Sequence, residues 1–86
     1  MIISYSRVFK KMFKKRPAWV RDKFDGRVIL FTQDFYYPLL NNHALDGKWL
    51  GFRSINITGD IRAIFEQSTK NDIVFVAIGT HNELYS

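Results

Sequence analysis

The feature that most constrains this chain is a run of six consecutive apolar residues, Ile-Val-Phe-Val-Ala-Ile, at positions 73–78. A strand that is apolar at every position is typical of a central strand covered on both faces of a sheet. The chain has 86 residues, of which 47% are hydrophobic and 16% aromatic, so it can build a core. This length predicts a single domain over residues 1–86.

Two further strands are predicted just ahead of the apolar run. Residues 52–57 are rich in β-branched and aromatic side chains, and residues 60–66 alternate apolar and polar positions. Gly79 is expected to end the last strand, with residues 80–86 as a short tail. Polar turns are expected to separate the three strands, at residues 58–59 and 68–71.

Helical periodicity replaces the strand pattern near the N-terminus. After a short predicted strand at residues 2–5, Ser6 is a typical N-cap for a first helix. The apolar face of that helix is formed by Val8, Phe9, Met12 and Phe13. Its other face is densely basic, with Arg7, Lys10, Lys11, Lys14, Lys15 and Arg16.

A second helix is predicted to follow directly. Pro17 suits its first turn, and the helix is expected to reach about Asp34. Gly26 inside the pattern costs about 1 kcal/mol relative to alanine, which leaves a kink or break open there. The apolar residues that recur at spacings of three and four are Val20, Phe24, Val28, Phe31 and Phe35.

The predicted order is therefore strand, helix, helix, strand, strand, strand. This order indicates an α+β domain, in which an N-terminal strand and two helices precede an antiparallel sheet of three further strands. The basic first helix is expected to cover one face of the sheet, which leaves the other face for function or a partner.

Charge and composition exclude several classes of protein. The formal net charge is +5, which favours a polyanionic partner, although a solvated basic surface is the simpler interpretation. The chain has no cysteine and no apolar stretch near the roughly 20 residues of a membrane span. Without a signal peptide pattern, we expect a cytoplasmic protein that does not bind a membrane. No helix-turn-helix pattern is visible, so DNA binding by the protein alone is not expected.

The residues that could carry chemistry are few. The only histidines are His43 and His81, and they form no metal-binding pattern, so neither a metal nor another cofactor is expected. Strand alternation allows Asn56 and Arg62 to share one face of the sheet, whereas Arg53 has the opposite parity. Asp60 directly follows a turn, and Tyr85 lies four residues after His81.

Such residue types suit the cleavage of RNA. The ribose 2′-OH attacks the adjacent phosphate, so a base must accept a proton and an acid must protonate the departing 5′-oxygen. Histidine serves either role near neutral pH, and the planar fork of arginine binds phosphate oxygens. An aromatic residue can stack on an unpaired base.

Each of these residues also has a simpler interpretation. His43 can be a loop residue that hydrogen-bonds backbone groups, and Asp60 is a common turn residue. Arg62 can pair with Glu66 on the same strand, and His81 can cap the last strand. Composition and spacing therefore lead to a basic α+β domain that is a candidate for RNA binding, and no further.

A family resemblance extends this interpretation. The segments that carry it are PLLNNHALDGKW, GFRSINITGDIRAIF, IVFVAIG and THNELY. In this order and spacing they resemble the C-terminal half of YafQ-like toxins of the RelE/ParE superfamily. The resemblance implies a ribosome-dependent mRNA endoribonuclease that works without a metal and is paired with a cognate antitoxin. Its partners would be the antitoxin, the translating ribosome and mRNA.

The resemblance also implies roles for particular residues. His81 would be the general acid, and His43 or Asp60 the base. Arg62, helped by Arg53, would stabilise the phosphate. The remaining implied contacts to RNA are Asn56, Tyr85, Lys10, Lys11, Lys14 and Lys15.

One departure from the family pattern lies at Asn56. Some YafQ-like enzymes carry a histidine there, and asparagine cannot transfer protons, so this chain has one fewer acid or base. Two alternatives stay open. One is a ParE-like toxin that inhibits DNA gyrase, and the other is a catalytically silent member that binds RNA or antitoxin.

Overall fold

Five strands form one mixed sheet in the computed structural model, which describes residues 1–85. They are β1 (Ile2–Tyr5), β2 (His43–Ala44), β3 (Arg53–Asn56), β4 (Ile61–Thr69) and β5 (Asp72–Thr80). Their order across the sheet is β1-β5-β4-β3-β2. The three longer C-terminal strands pair antiparallel, as predicted, and β1 joins β5 in parallel.

Three helices accompany the sheet. They are α1 (Arg7–Lys14), α2 (Ala18–Gln33) and α3 (His81–Tyr85), and two single 3₁₀ turns lie at Pro38–Leu40 and Gly47–Trp49. The predicted α+β class is confirmed, whereas β2 and α3 were not predicted. Within residues 1–85, none of the helices has the length and apolar character needed to cross a membrane.

The first helix begins as the sequence predicts. Ser6 caps it, because its hydroxyl accepts a hydrogen bond of 3.0 Å from the backbone N–H of Phe9. Phe9 is buried and Met12 half-buried, but Val8 is 59% exposed, so its assignment to the apolar face was wrong. The basic residues of α1 therefore point away from the core.

The second helix runs through Gly26 without a break, although a kink there was left open. Gly26 is exposed, and an added Cβ would meet no atom within 4 Å. We therefore expect Gly26→Ala to raise the free energy of unfolding by about 0.5–1 kcal/mol, since alanine loses less backbone entropy in a helix. Urea titration followed by circular dichroism would measure this change. A lower stability would contradict the regular helix described here.

The main core lies between the helices and one face of the sheet. Phe75 on β5 is its centre, with ring centroids 5.2 Å from Phe24, 5.6 Å from Phe65, and 5.8 Å from both Phe9 and Phe31. All five rings are at least 98% buried. Aromatic residues from both helices and two strands therefore hold the helical layer onto the sheet.

A bulge in β5 explains why its sequence is apolar throughout. Ile64 pairs with Ala77 and Phe65 with Phe75, so Val76 has no partner across β4. The bulge lets Phe75 and Ile78 both face the helices, while Ala77 faces the other side. Apolar side chains are thus needed on both faces of this strand.

The last hairpin is longer than predicted. The turn contains only residues 70–71, since Thr69 pairs with Asp72 across the strands. The threonine hydroxyl also donates a hydrogen bond of 2.8 Å to the Asp72 carboxylate. At the other end, β5 continues through Gly79 to Thr80, so the prediction that Gly79 ends the strand was wrong.

A smaller apolar cluster covers the opposite face of the sheet. It is built from Leu45, Ile64, Ala77 and Leu84, which are all at least 93% buried. Leu84 belongs to α3, which therefore packs on the sheet face opposite the main core, where Met12 from the edge of α1 also contacts the cluster. Residues 81–85 of the predicted tail thus form a helix that borders this second face, and residue 86 lies outside the described residues.

Candidate functional site

A cleft of about 460 Å³ opens on this second face, beside the smaller cluster. Its size falls in the range of small-ligand pockets. It lies between β2, the following loop, the first halves of β3 and β4, and α3. Its lining residues are His43, Ala44, Leu45, Asp46, Gly47, Ser54, Arg62, His81 and Tyr85.

Strand register brings the polar residues of the cleft together. His43 pairs with Ser54 between β2 and β3, and Asn56 pairs with Arg62 between β3 and β4. Arg62 in turn lies opposite Gly79 on β5, two residues before His81. The predicted shared face of Asn56 and Arg62 is confirmed. Four predicted site residues, His43, Arg62, His81 and Tyr85, therefore line one cleft.

His43 is held in one orientation by the loop before it. Its Nδ1 lies 2.8 Å from the backbone carbonyl oxygen of Asn41, which adopts a left-handed conformation with φ of 46°. A carbonyl oxygen can only accept, so Nδ1 carries the proton and Nε2 is left as the acceptor. The backbone hydrogen bond of the simpler interpretation is present, although His43 lies in strand β2 and not in a loop. With Nδ1 bonded in this way, Nε2 is the nitrogen that can accept a proton.

Arg53 does not line the cleft. Its Nε donates a hydrogen bond of 2.8 Å to the side-chain oxygen of Asn42, and its guanidinium lies 5.6 Å from the ring centre of Tyr36. Asn42 also donates to the carbonyl oxygen of Phe35 at 2.9 Å. Arg53 therefore supports the loop that presents His43, and its parity keeps it away from Arg62, as the sequence predicted.

His81 and Tyr85 form one side of the cleft. They lie one turn apart on α3, with ring centroids 4.6 Å apart. Burial raises the pKa of the Tyr85 hydroxyl, while the neighbouring Ser54 hydroxyl and the Arg62 charge oppose this rise. Tyr85 is thus a neutral hydrogen-bond donor at neutral pH.

Ser54 is a cleft residue that the sequence did not reveal. It is 1% exposed, and its hydroxyl oxygen has no hydrogen bond of normal geometry within residues 1–85. The hydroxyl nevertheless lies close enough to Tyr85 to oppose the rise in that residue's pKa, so Ser54 belongs to the polar lining of the cleft. Its position on β3, two residues before Asn56, is the only signal in the sequence.

Arg62 is fixed by the turn between β3 and β4. Its guanidinium donates to the carbonyl oxygens of Thr58 at 3.0 Å, Gly59 at 3.2 Å and Ile61 at 3.2 Å. The expected pairing with Glu66 is not the arrangement observed. These bonds hold a positive charge at the edge of the cleft.

We expect Arg62→Ala to lower the free energy of unfolding by about 1–3 kcal/mol, because three turn carbonyls lose their donor. Arg7→Ala, which removes an exposed arginine of α1, is the matched control and should stay within about 0.5 kcal/mol of the parent. Urea midpoints of the three proteins would measure the difference. Equal midpoints would show that the turn does not depend on Arg62.

Other predicted site residues lie outside the cleft. Asp60 is exposed in the β3–β4 turn. Asn56 pairs with Arg62 across the strands, and its buried side-chain oxygen has no hydrogen-bond partner within residues 1–85. The carboxylate that does line the cleft belongs to Asp46. The lysines lie exposed on or just after α1, namely Lys10, Lys11, Lys14 and Lys15.

This architecture is the RelE-like toxin fold, as solved structures show. YafQ from E. coli strain BL21(DE3) has a TM-score of 0.80 and 24% identity, covering 99% of this chain and 98% of that chain. A chain of the E. coli DinJ-YafQ toxin-antitoxin complex gives 0.77 and 25%, covering 99% and 97%. A YoeB/ParE toxin from Agrobacterium tumefaciens gives 0.76 and 14%, covering 94% and 99%, and shares the fold.

The family itself is established by sequence. A model of the family described as "Bacterial toxin of type II toxin-antitoxin system, YafQ" matches residues 1–86. The chain therefore belongs to the YafQ family of bacterial toxins, which confirms the predicted resemblance. No curated protein matches this sequence.

Proposed function

We propose that this toxin is an endoribonuclease that cleaves mRNA on the translating ribosome by attack of the ribose 2′-OH. The observation that carries the proposal is the cleft itself, in which two histidines, an arginine and a tyrosine meet. These groups supply a base, an acid and a cation, which are the three functions that the reaction needs. The proposed chemistry requires no metal ion.

In the first part of the reaction, His43 is the base. Because its Nδ1 proton is bonded to the carbonyl oxygen of Asn41, Nε2 can accept the proton of the 2′-OH. The 2′-oxygen then forms a bond to the adjacent phosphorus. Arg62 faces the cleft as a cation held by the turn, and it stabilises the charge that develops on the phosphate oxygens.

In the second part, the bond between phosphorus and the 5′-oxygen breaks. Protonated His81 gives its proton to this leaving oxygen, which yields a 5′-hydroxyl and a 2′,3′-cyclic phosphate. Tyr85, beside His81, donates a hydrogen bond to the nucleotide and offers its ring for stacking. His43 then gives its extra proton to water, and His81 takes a proton up from water.

Asp60 is a weaker candidate for the base than His43, because Asp60 lies in the exposed turn and not in the cleft. Asp46 is the acidic residue that lines the cleft, so it takes the place of Asp60 in the proposed site. Asn56 and Arg53 support the site by their positions around Arg62 and His43.

Binding to ribosomal RNA would use the basic surface of α1. Lys10, Lys11, Lys14 and Lys15 are exposed there, and the chain carries a net charge of +5. Neutralisation of phosphates by several lysines supplies affinity that does not depend on sequence. This surface and the cleft would then contact different parts of one large RNA assembly.

A cognate antitoxin is the second proposed partner. E. coli YafQ occurs in a complex with DinJ. In this chain, Trp19 is 60% exposed and Leu39 is 52% exposed, and both line an open groove beside α2. Exposed apolar residues gathered in one groove are typical of a protein-binding surface.

The test is to express the toxin in growing bacteria and map mRNA 5′ ends. We expect new ends inside translated codons, with 5′-hydroxyl termini. The control is the His43→Ala/His81→Ala double variant, whose exposed side chains contribute little to the core. That variant should restore intact mRNA and growth.

Two other results would overturn the proposal. Growth arrest with intact mRNA and DNA damage would indicate a gyrase inhibitor of the ParE type. Absence of both mRNA cleavage and growth arrest, with folded toxin present, would indicate a catalytically silent member.

A further inference from the structure

The short helix α3 is fixed at its start by a reciprocal pair of hydrogen bonds. The backbone N–H of Glu83 donates to the Thr80 hydroxyl at 3.1 Å, and the backbone N–H of Thr80 donates to the Glu83 carboxylate at 2.7 Å. This is a capping box, in which a threonine before the helix and a glutamate three residues later satisfy each other's backbone. His81 is the first residue inside it.

The Glu83 carboxylate is also bound by a residue that is distant in the sequence. Arg16, two residues after α1, donates two parallel hydrogen bonds of 3.0 and 2.9 Å to the two oxygens of Glu83. Charge-assisted bonds in this forked geometry are among the stronger surface interactions. The bonds from Arg16 and Thr80 lower the pKa of Glu83 to about 2, so the carboxylate is charged at every physiological pH.

Gly79 gives Glu83 the room to make both contacts. A Cβ at this position would lie 3.1 Å from one carboxylate oxygen and 3.4 Å from the glutamate Cβ. Any other residue would therefore press on the carboxylate that joins Thr80 to Arg16. The three contacts meet at one side chain, next to His81.

A helix of five residues needs such support. Isolated helices this short are unstable in water, because nucleation costs more than one turn of hydrogen bonds returns. Leu84 anchors the far end of α3 in the smaller core, and the Trp49 indole donates to the Leu84 carbonyl oxygen at 2.8 Å. The near end, which carries His81, depends on Glu83.

We propose that Arg16 and Glu83 are positioning residues for His81, clamping the first turn of α3 so that this histidine keeps a fixed place in the cleft. The inference rests on the proposed nuclease function for its catalytic consequence. Arg16 then has a different role from the neighbouring exposed lysines, because its guanidinium binds the Glu83 carboxylate within the protein.

The experiment compares the purified full chain with Arg16→Met, Glu83→Gln and Lys70→Met. Glutamine keeps an oxygen for Thr80 but loses the charge that Arg16 binds. Lys70→Met is the matched control, because it also removes one positive charge but lies exposed in the β4–β5 turn. Single-turnover cleavage of a ribosome-bound mRNA gives the maximal rate and the half-saturating concentration separately. Amide hydrogen exchange and the contacts between the His81 and Tyr85 rings are followed by NMR.

We expect the maximal rate to fall about 10- to 100-fold in Arg16→Met and in Glu83→Gln, with half-saturation within about twofold of the parent, since small misplacement of a reacting group costs this much. Exchange should speed up at least tenfold for α3 amides only. Lys70→Met should match the parent in both readouts. Arg16→Lys, which keeps one charged contact, should recover part of the rate.

The two proposals fail in different ways. If the parent does not cleave RNA but α3 exchange still rises in Arg16→Met, the nuclease proposal fails and the clamp stands. If the parent cleaves and Arg16→Met keeps its full rate and slow exchange, the clamp is refuted. A rise in the half-saturating concentration with an unchanged maximal rate would also refute the clamp, because that result would identify Arg16 as an RNA contact.

Discussion

Replacement of His81 by alanine is expected to lower the rate of RNA cleavage by about 10²- to 10⁴-fold, the usual contribution of one general acid. His81 lies exposed at the first position of α3, so its removal should leave the fold intact. His81→Gln should lose as much activity, because glutamine can hydrogen-bond but cannot transfer a proton. Single-turnover cleavage over a range of pH would measure the loss, and the limb of the pH–rate profile due to the acid should disappear.

A comparison with His43 sharpens this test. His43→Ala should remove the other limb of the profile, since the imidazole is oriented to accept a proton through its bond to Asn41. Lys70→Ala, on the far hairpin, should behave as the parent. If either histidine variant keeps more than about a tenth of the rate, that histidine does not transfer a proton in the reaction.

The largest effect on stability is expected from Phe75→Ala. Removal of a buried phenylalanine typically costs about 3–5 kcal/mol, and this ring contacts aromatic residues from both long helices. The whole stability of a small domain is about 5–15 kcal/mol, so the variant should be largely or partly unfolded at 37 °C.

Urea unfolding at 25 °C would measure the loss. Val76→Ala is the matched control, because this neighbour lies half-buried at the bulge and outside the aromatic cluster. It should cost about 1 kcal/mol or less. Equal losses for the two variants would show that the aromatic cluster does not dominate the core.

Most of the fold could be predicted because local signals agree with tertiary packing. The apolar run of β5 predicts a covered strand, and Ser6 predicts the start of a helix. The second helix is predicted by the spacing of its buried residues Val20, Phe24 and Phe31. The bulge at Val76 could not be predicted, since an apolar residue fits either face of a covered strand. The two-residue strand β2 is too short to leave a pattern in the sequence.

Helix α3 has one local signal in the sequence. Thr80 and Glu83 have the spacing of a capping box, although five residues are too few for helical periodicity. Arg16 also binds Glu83 in this helix, and its position 67 residues earlier in the chain gives no local signal.

The candidate site could be predicted in part. Strand parity was enough to place Arg62 beside Asn56 and to set Arg53 apart. Asp60 does not reach the cleft because it belongs to an exposed turn. Ser54 and Asp46 line the cleft, although no sequence pattern predicts a functional role for them. Their contribution depends on how β2 and the following loop fold over β3, which only the three-dimensional arrangement shows.

The parallel pairing of β1 with β5 has a consequence for how the protein is made. Ile2 pairs with Asp72, so β1 cannot join the sheet until most of the chain has been synthesised. Since a nascent chain leaves the ribosome N-terminus first, β5 and α3 are synthesised after every other element. On this account the cleft cannot form until the residues of α3 that line it, His81 and Tyr85, have been synthesised.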